Sequence, residues 1–169
     1  MYGRVLQEFG FINDIENMSL GEYTDLDTYV TDWNNMHKTM AVLYRPLITR
    51  YKDKYTIAEY EGTSEFAEVM KFMPLDVALG SLVFFYRLGN ELLQATRQFL
   101  VQEVEGMASQ EQFAKRWGWY NSIYALAKGD VTKFNTVTKL PISQAFTYLS
   151  YESEKVQIER EQLNKSLKG

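Results

Sequence analysis

A run of apolar residues lies between Asp76 and Arg87, and only Gly80 and Ser81 interrupt it. A helix without a polar face is buried either in a protein core or in a membrane. A membrane span needs about 20 predominantly apolar residues, and this run is about half that long. The pattern therefore predicts one long helix from Pro74 to about Glu105, with its first half inside the protein core.

A second helix is predicted over residues 26–44, where apolar side chains recur with a period near 3.6. Pro46 ends it, because the residue before a proline is disfavoured in a helix. Its start has two sets of candidate caps, namely Ser19 with Glu22 in capping-box spacing, and Thr24 or Asp25. Met1 to Phe11 is predicted to form a further short helix that Gly10 stops.

Residues 47–60 alternate apolar and polar side chains around a charged centre at Lys52 to Lys54. The β-branched and aromatic residues favour strands and the charged centre favours a turn, so we expect a small β-hairpin or extended arm. An isolated two-stranded hairpin is only marginally stable. This arm must therefore pack against helices or against a second chain.

Three more helices follow from caps and periodicity. One begins at Thr63 or Ser64, one spans Phe113 to Lys128, and one runs from Ile142 to about Leu167 after Pro141. Asp130 is a candidate cap of a short helix through Phe134, ahead of a loop over 137–141. The buried side predicted for the second of the three helices is Phe113, Trp117, Tyr120, Ile123, Tyr124 and Leu126.

The expected fold is mainly α: a compact helical domain of about five to six helices around one long central helix. A small β-hairpin or extended arm lies near 47–60, and the C-terminal helix protrudes. We expect a single domain over 1–169, with a solvated helical tail over 152–169 that is rich in Glu, Lys, Gln and Ser. A stripe at every seventh residue leaves open that this tail pairs with a partner: Ile142, Leu149, Val156 and Leu163.

Composition narrows the function classes. The chain of 169 residues has no Cys, which excludes disulfides and thiol catalysis. A net charge of -4 argues against electrostatic capture of nucleic acid. The first residues mix charges with apolar side chains, unlike a signal peptide, so a cytosolic protein without membrane association is expected. Aromatic residues make up 15%, which indicates ring-rich packing or an adhesive surface for a partner.

Candidate chemistry is sparse. His37 is the single histidine and has no local nucleophile or carboxylate partner, so we interpret it as a packing or surface residue. Three carboxylates could be oxygen ligands of a cation, but they lack the calcium-loop pattern and are better explained as helix-start residues: Asp25, Asp27 and Asp32.

No phosphate-binding glycine motif occurs, and Gly80 and Gly89 are expected to allow close helix approach or to mark a bend. The cluster from Trp117 to Tyr120 favours core packing over stacking on bases or sugars. We therefore expect no catalytic, metal or cofactor site.

Five segments, in this order along the chain, resemble the tail assembly chaperones of tailed phages, especially those of large contractile-tailed phages. They are SLGEYTDLDTYVTDW at 19–33, MHKTMAVLYRP at 36–46, EVMKFMPLDVALGSLVFFYRLGNELL at 68–93, WGWYNSIYALAKGDVTKF from 117 and LPISQAFTYLSYESEK up to 155. The resemblance lies in the ordered combination, since none of the segments is a diagnostic motif.

The resemblance implies a helical, non-enzymatic and often multimeric adaptor that keeps the tape measure protein soluble and helps recruit tail tube subunits. It implies action in the cytoplasm of the infected bacterial host and brings no catalytic motif. A structural virion subunit of the baseplate, neck or tail, retained in the mature particle, is the alternative. Amphipathic geometry favours five positions for partner contacts: Tyr120, Tyr124, Tyr148, Tyr151 and Val156.

Overall fold

The computed structural model describes residues 8–12, 18–100 and 116–167, and it describes 88–100 by their backbone alone. The described chain is mainly helical and carries a small three-stranded antiparallel sheet, which confirms the predicted mainly α class with a small β arm. It divides into two compact units, Met1–Arg87 and Leu88–Gly169. The expectation of a single helical domain stays a prediction.

The first unit starts with four elements: β1 (Phe9–Phe11), α1 (Leu20–Val30), a 3₁₀-helix (Trp33–Asn35) and α2 (Met36–Leu43). Four more follow: β2 (Tyr44–Tyr51), β3 (Lys54–Ile57), α3 (Ala67–Met70) and α4 (Leu75–Leu100). The first unit ends after Arg87, within α4. Its core is formed mainly by α1 and α2, whose fully buried side chains include Leu20, Tyr23, Leu26, Met40, Val42 and Leu43.

Ser19 caps α1, which confirms the first of the two predicted starts. The Ser19 Oγ accepts a hydrogen bond from the Glu22 N–H at 3.2 Å, and the Glu22 Oε2 accepts one from the Ser19 N–H at 2.6 Å. This is the reciprocal capping box.

The continuous helix predicted over 26–44 is wrong, because the chain leaves the α-helix after Val30. The Asp32 carboxylate accepts hydrogen bonds from the backbone N–H and side-chain amide of Asn34 at 2.9 and 3.0 Å. It accepts a third from the Asn35 side chain at 2.8 Å. Local side-chain bonds of this kind compete with helix bonds, and here they start a 3₁₀ turn before α2. The α2 helix then ends at Leu43, ahead of Pro46 as predicted.

The predicted hairpin is confirmed, with Lys52 and Asp53 in its turn. The sheet has the order β1-β2-β3, so β2 is the middle strand. The helix predicted up to Phe11 is wrong for residues 9–11, which form β1, and its first seven residues lie outside the described chain. Gly10 pairs with Arg45 in this sheet, and a Cβ at Gly10 would lie 2.6–2.8 Å from side-chain atoms of Leu47, Ile57 and Tyr55.

A buried ion pair ties α1 to β2. The Arg45 Nη2 lies 2.6 Å from the Glu22 Oε1, and the two side chains are only 9% and 7% exposed. The Arg45 guanidinium also lies over the Tyr60 ring, 5.9 Å from its centroid. The Tyr60 hydroxyl donates a hydrogen bond to the Asp25 carboxylate, and burial together with this bond raises the pKa of Tyr60.

The α3 helix is shorter than predicted. Thr63 and Ser64 precede it in a turn, and neither side chain caps it. The following helix starts directly after Pro74, as expected from the missing N–H of proline. Its predicted end near Glu105 lies outside the described residues.

The all-round burial predicted for the first half of α4 is wrong. Ala78, Ser81, Leu82 and Phe85 are buried, and the Ser81 Oγ lies 2.8 Å from the Tyr44 hydroxyl of β2. Five large apolar side chains of the same run are instead 39–53% exposed: Val77, Leu79, Val83, Phe84 and Tyr86. A helix packed on one side of a sheet buries only one stripe, and apolar residues on its other sides stay exposed. The central position predicted for this helix is therefore not confirmed.

Among the described residues, Gly80 does not mediate close helix approach, because a Cβ there would meet none of their atoms within 4 Å. The φ of Gly80 also lies outside the left-handed region, so an L residue can adopt its backbone conformation. Gly80→Ala should therefore raise the free energy of unfolding by about 0.5–1 kcal/mol, by removing the entropic cost of helical glycine. Urea unfolding followed by circular dichroism measures this change.

Gly62→Ala is the matched control for that prediction. A Cβ at Gly62 would also meet none of the described residues within 4 Å, but the residue has a φ of +98°, which favours glycine. We expect Gly62→Ala to destabilise the protein although nothing clashes. A loss of stability in Gly80→Ala would instead mean that another chain segment lies close to α4 at this point.

The second unit contains α5 (Trp119–Leu126), a 3₁₀-helix (Val131–Lys133), α6 (Phe134–Thr138) and α7 (Ile142–Ser166). Asp130 is a cap as predicted, since its carboxylate accepts a hydrogen bond from the Thr132 N–H at 3.0 Å. Bonds from Thr132 and Lys133 hold the pKa of Asp130 below its usual value. Helical structure continues through Thr138, so the first part of the predicted loop is wrong. The predicted last helix is confirmed, and every residue from Ile158 to Leu167 is exposed.

Candidate protein-binding surface

Gly118 separates Trp117 from the start of α5. Its φ is +45°, a conformation that L side chains rarely adopt, and a Cβ there would meet no atom of the described residues within 4 Å. The backbone turns at this glycine, and α5 begins at Trp119. Trp117 and Trp119 are therefore not successive residues of one α-helix.

Four rings form a contiguous group, the ring cluster, made of Trp117, Tyr120, Tyr124 and Phe134. Tyr120 lies in the middle: its ring centroid is 5.5 Å from that of Trp117 and 6.4 Å from that of Tyr124, to which it is nearly parallel at 16°. Phe134 of α6 meets Tyr120 edge-on, with centroids 5.4 Å apart. These separations are those of favourable aromatic pairs.

A cavity of about 220 Å³ lies against the ring cluster. It is lined by Trp117, Tyr120, Asn121 and Tyr124, and its walls are almost wholly apolar. Because the surface that Asn121 contributes is also nearly all apolar, the cavity is suited to an apolar group.

The ring cluster faces outward, which corrects the burial predicted for this helix. Trp117, Tyr120 and Tyr124 are 43%, 46% and 44% exposed. The inner side of α5 is supplied by Trp119, whose ring lies 6.2 Å from that of Phe146 of α7, and by the half-buried Ile123. Leu126 is also half-buried, and Phe113 lies outside the described residues.

Gly129 supports the position of the Tyr124 ring. Its N–H donates a hydrogen bond to the Tyr124 carbonyl at 3.0 Å, and its φ of +79° ends the turn after α5. A Cβ at Gly129 would lie 3.1 Å from the Tyr124 hydroxyl. The absence of a side chain at residue 129 thus leaves the ring room to lie over the turn.

A positively charged side chain lies at one end of the ring cluster. The Arg116 guanidinium lies over the Trp117 ring, 5.6 Å from its centroid. Lys133 is held by Asp130, with 3.2 Å between the Nζ and the Oδ2. In the described part of this surface, ring faces and one guanidinium are present rather than a basic patch, which favours a protein ligand over nucleic acid.

The structure brings together two of the five residues favoured for partner contacts, Tyr120 and Tyr124. The other three lie on α7, where Tyr151 is 61% exposed while Tyr148 and Val156 are half-buried. Partial burial and the neighbouring Glu152 carboxylate raise the pKa of Tyr148. Whether these five side chains contact a partner stays a prediction.

Sequence reasoning missed Trp117, Asn121 and Phe134 as members of this surface. For Asn121 a signal was present, because residues 120, 121 and 124 have the spacing of one helix face. Trp117 precedes the break at Gly118 and Phe134 lies on another helix, so this spacing does not include them. That spacing identifies a face but does not tell whether another element covers it.

The other candidate sites have local structural roles. Asp32 caps the 3₁₀-helix, and Asp25 accepts a hydrogen bond from Tyr60. The helix-start position predicted for Asp25 and Asp27 is wrong, because both lie in the middle of α1. His37 is half-buried in α2. In the described ranges, no group of three or more His, Cys, Asp or Glu side chains could hold a metal ion.

Comparison with known proteins finds no matching family model, no similar curated protein and no similar solved structure. Among the residues that the structure describes, no helix is long and apolar enough to cross a membrane.

Proposed function

We propose that this chain is a non-enzymatic tail assembly chaperone of a tailed phage, which binds the tape measure protein and helps recruit tail tube subunits. The observation that carries the proposal is the exposed ring cluster with its apolar cavity of about 220 Å³. The ordered resemblance of segments along the chain supplies the identity of the partner. The proposed place of action is the cytoplasm of the infected bacterial host.

The chemistry of the ring cluster fits an apolar helix as its ligand. An amphipathic helix binds a groove through anchor side chains spaced three or four residues apart. The cavity has room for one large aliphatic or aromatic anchor, and Trp117 and Tyr124 would flank it. Aromatic side chains provide large contact areas at low entropic cost, which explains their enrichment in binding surfaces. Covering such anchors would keep an apolar helix from aggregating before assembly.

The test is co-expression with an apolar helical fragment of the tape measure protein from the same phage. The wild-type chain should raise the soluble yield of the fragment and should co-purify with it. Tyr120→Ala should weaken binding by at least about 2 kcal/mol, or about 30-fold in Kd. The reason is that Tyr120 lies in the middle of the ring cluster, next to each of the other three rings. Titration followed by the fluorescence of Trp117 and Trp119 measures this Kd.

Tyr51→Ala is the matched control, because Tyr51 is 74% exposed on the hairpin and lies outside the ring cluster. It should leave the Kd unchanged. A fragment that stays equally insoluble with and without the chain would contradict the chaperone function. Recovery of the chain in stoichiometric amounts from purified mature phage would favour a structural virion subunit instead.

A further inference from the structure

The α4 helix carries a second apolar face in addition to the one that packs in the first unit. Leu75, Leu79, Val83 and Tyr86 follow one another at spacings of four, four and three residues. At about 100° per residue, these four positions fall within an arc of about 80°. They are 62%, 40%, 53% and 48% exposed. We name these four residues the α4 stripe.

The stripe matches itself when two copies of α4 run antiparallel. In a register whose two-fold axis passes between Leu79 and Val83, Leu79 of one copy lies opposite Val83 of the other, and Leu75 lies opposite Tyr86. Each large side chain therefore meets another large apolar side chain. Such self-complementarity is the requirement for an isologous two-fold interface.

Two charges on one flank of the stripe fit the same register. Asp76 and Arg87 are both exposed and lie on the same side of the helix, three turns apart. Within the described chain neither forms an ion pair. In the antiparallel register Asp76 of each copy faces Arg87 of the other, so the symmetry creates two ion pairs.

We propose that a second copy of this chain docks on the α4 stripe as an antiparallel helix pair. The four side chains expose roughly 400 Å² per copy, if a fully exposed large apolar side chain has roughly 200 Å². The pair would bury about 800 Å², which is less than the roughly 1,200 Å² of stable specific interfaces, so we expect weak and reversible association. This inference is independent of the ring cluster and does not rest on the proposed function.

Sedimentation velocity of the full chain tests the proposal between about 1 and 200 µM, a range that brackets micromolar association. The wild type should pass from monomer to dimer over this range. Leu79→Glu should weaken association at least about tenfold, because it buries a charge opposite Val83. Circular dichroism checks that each variant stays folded.

Val77→Glu is the matched control. Val77 is 39% exposed and Leu79 is 40% exposed, but their directions from the helix axis differ by about 160°. Val77→Glu should leave the dimer intact. A chain that is monomeric at every concentration would overturn the proposal, as would association that Leu79→Glu leaves unchanged or that Val77→Glu weakens equally. A monomer destabilised by Leu79→Glu would place another segment of the same chain on the stripe, and would also overturn it.

Charge exchange tests the register with variants that keep the apolar residues. Asp76→Arg should weaken association by placing two Arg side chains opposite each other, and Arg87→Asp should do so by pairing two carboxylates. The double variant restores opposite charges and should return the Kd to within about threefold of the wild type. A double variant that associates no better than the two single variants would overturn the antiparallel register.

Discussion

Arg45→Met should lower the free energy of unfolding by about 3–5 kcal/mol, because it leaves the Glu22 carboxylate buried without its cation. Glu22 and Arg45 lie 2.6 Å apart, and less than a tenth of either side chain is exposed. Within the described part of the chain, the other hydrogen bond that the Glu22 carboxylate accepts comes from the Ser19 N–H. One backbone donor does not replace a guanidinium in a protein interior, so we expect the loss to be large.

A double-mutant cycle separates the ion pair from its surroundings. Glu22→Gln preserves an acceptor for the Ser19 N–H but leaves the Arg45 charge uncompensated, so it should also destabilise. The double variant Glu22→Gln with Arg45→Met removes both charges and should lose less than the two single losses combined. Within the described residues the Arg45 Nε is buried without a hydrogen bond, so the pair itself is imperfectly satisfied. This favours a double variant close to the wild type in stability.

Arg50→Met is the control, because Arg50 lies on the same strand and faces a glutamate in solvent. Arg50 and Glu8 are 3.4 Å apart, with side chains 64% and 67% exposed. Exposed pairs contribute between zero and about 1 kcal/mol, so this variant should lose little. Urea unfolding of all four variants gives the comparison. Equal losses in Arg45→Met and Arg50→Met would show that the first pair is not desolvated.

Features encoded by neighbouring residues could be predicted from the sequence. The capping box at Ser19, the turn at Lys52 and Asp53, and the start of α7 after Pro141 each depend on residues within one or two turns. Their physical causes are local hydrogen bonds and the restricted φ of proline. The fold class followed from these signals.

Features that depend on distant contacts could not be predicted. The strand at residues 9–11 exists because it pairs with residues 44–46, and nothing near Gly10 in sequence specifies that partner. The buried ion pair of Glu22 and Arg45 could not be predicted either, because the two residues are 23 positions apart and only the tertiary fold brings them together. The break after Val30 is different: its signal is local, in the Asp32 side chain, but the continuing apolar period concealed it.

The ring cluster shows the same limit for the candidate site. Helical spacing predicted that Tyr120 and Tyr124 share a face, and the structure agrees. Spacing alone also suggested that this face is buried, whereas Trp119 and Phe146 make the inner contact instead. Apolar periodicity identifies faces that contact something, but whether the contact is the protein's own core or a partner depends on the tertiary fold.

The neighbours Phe84 and Phe85 test this distinction within α4. Both residues belong to the same apolar run and have the same side chain, but Phe85 is 4% exposed and Phe84 is 43% exposed. Phe84 contacts Phe11 of β1, with ring centroids 5.4 Å apart, and the rest of its ring is accessible. If burial determines how much a side chain contributes to the free energy of unfolding, substitution by Ala should have different effects at Phe84 and Phe85, although the two side chains are chemically identical.

Phe85→Ala should therefore lower the free energy of unfolding by about 2–5 kcal/mol, as should Leu82→Ala, because both remove buried atoms and leave a cavity. Phe84→Ala should cost about half as much or less, since much of its surface is already in contact with water. Urea unfolding measured at a concentration that keeps the chain monomeric provides the values. Losses below about 1 kcal/mol at both Leu82 and Phe85 would place the core elsewhere. Equal losses at Phe84 and Phe85 would restore the all-round burial that the sequence alone predicts.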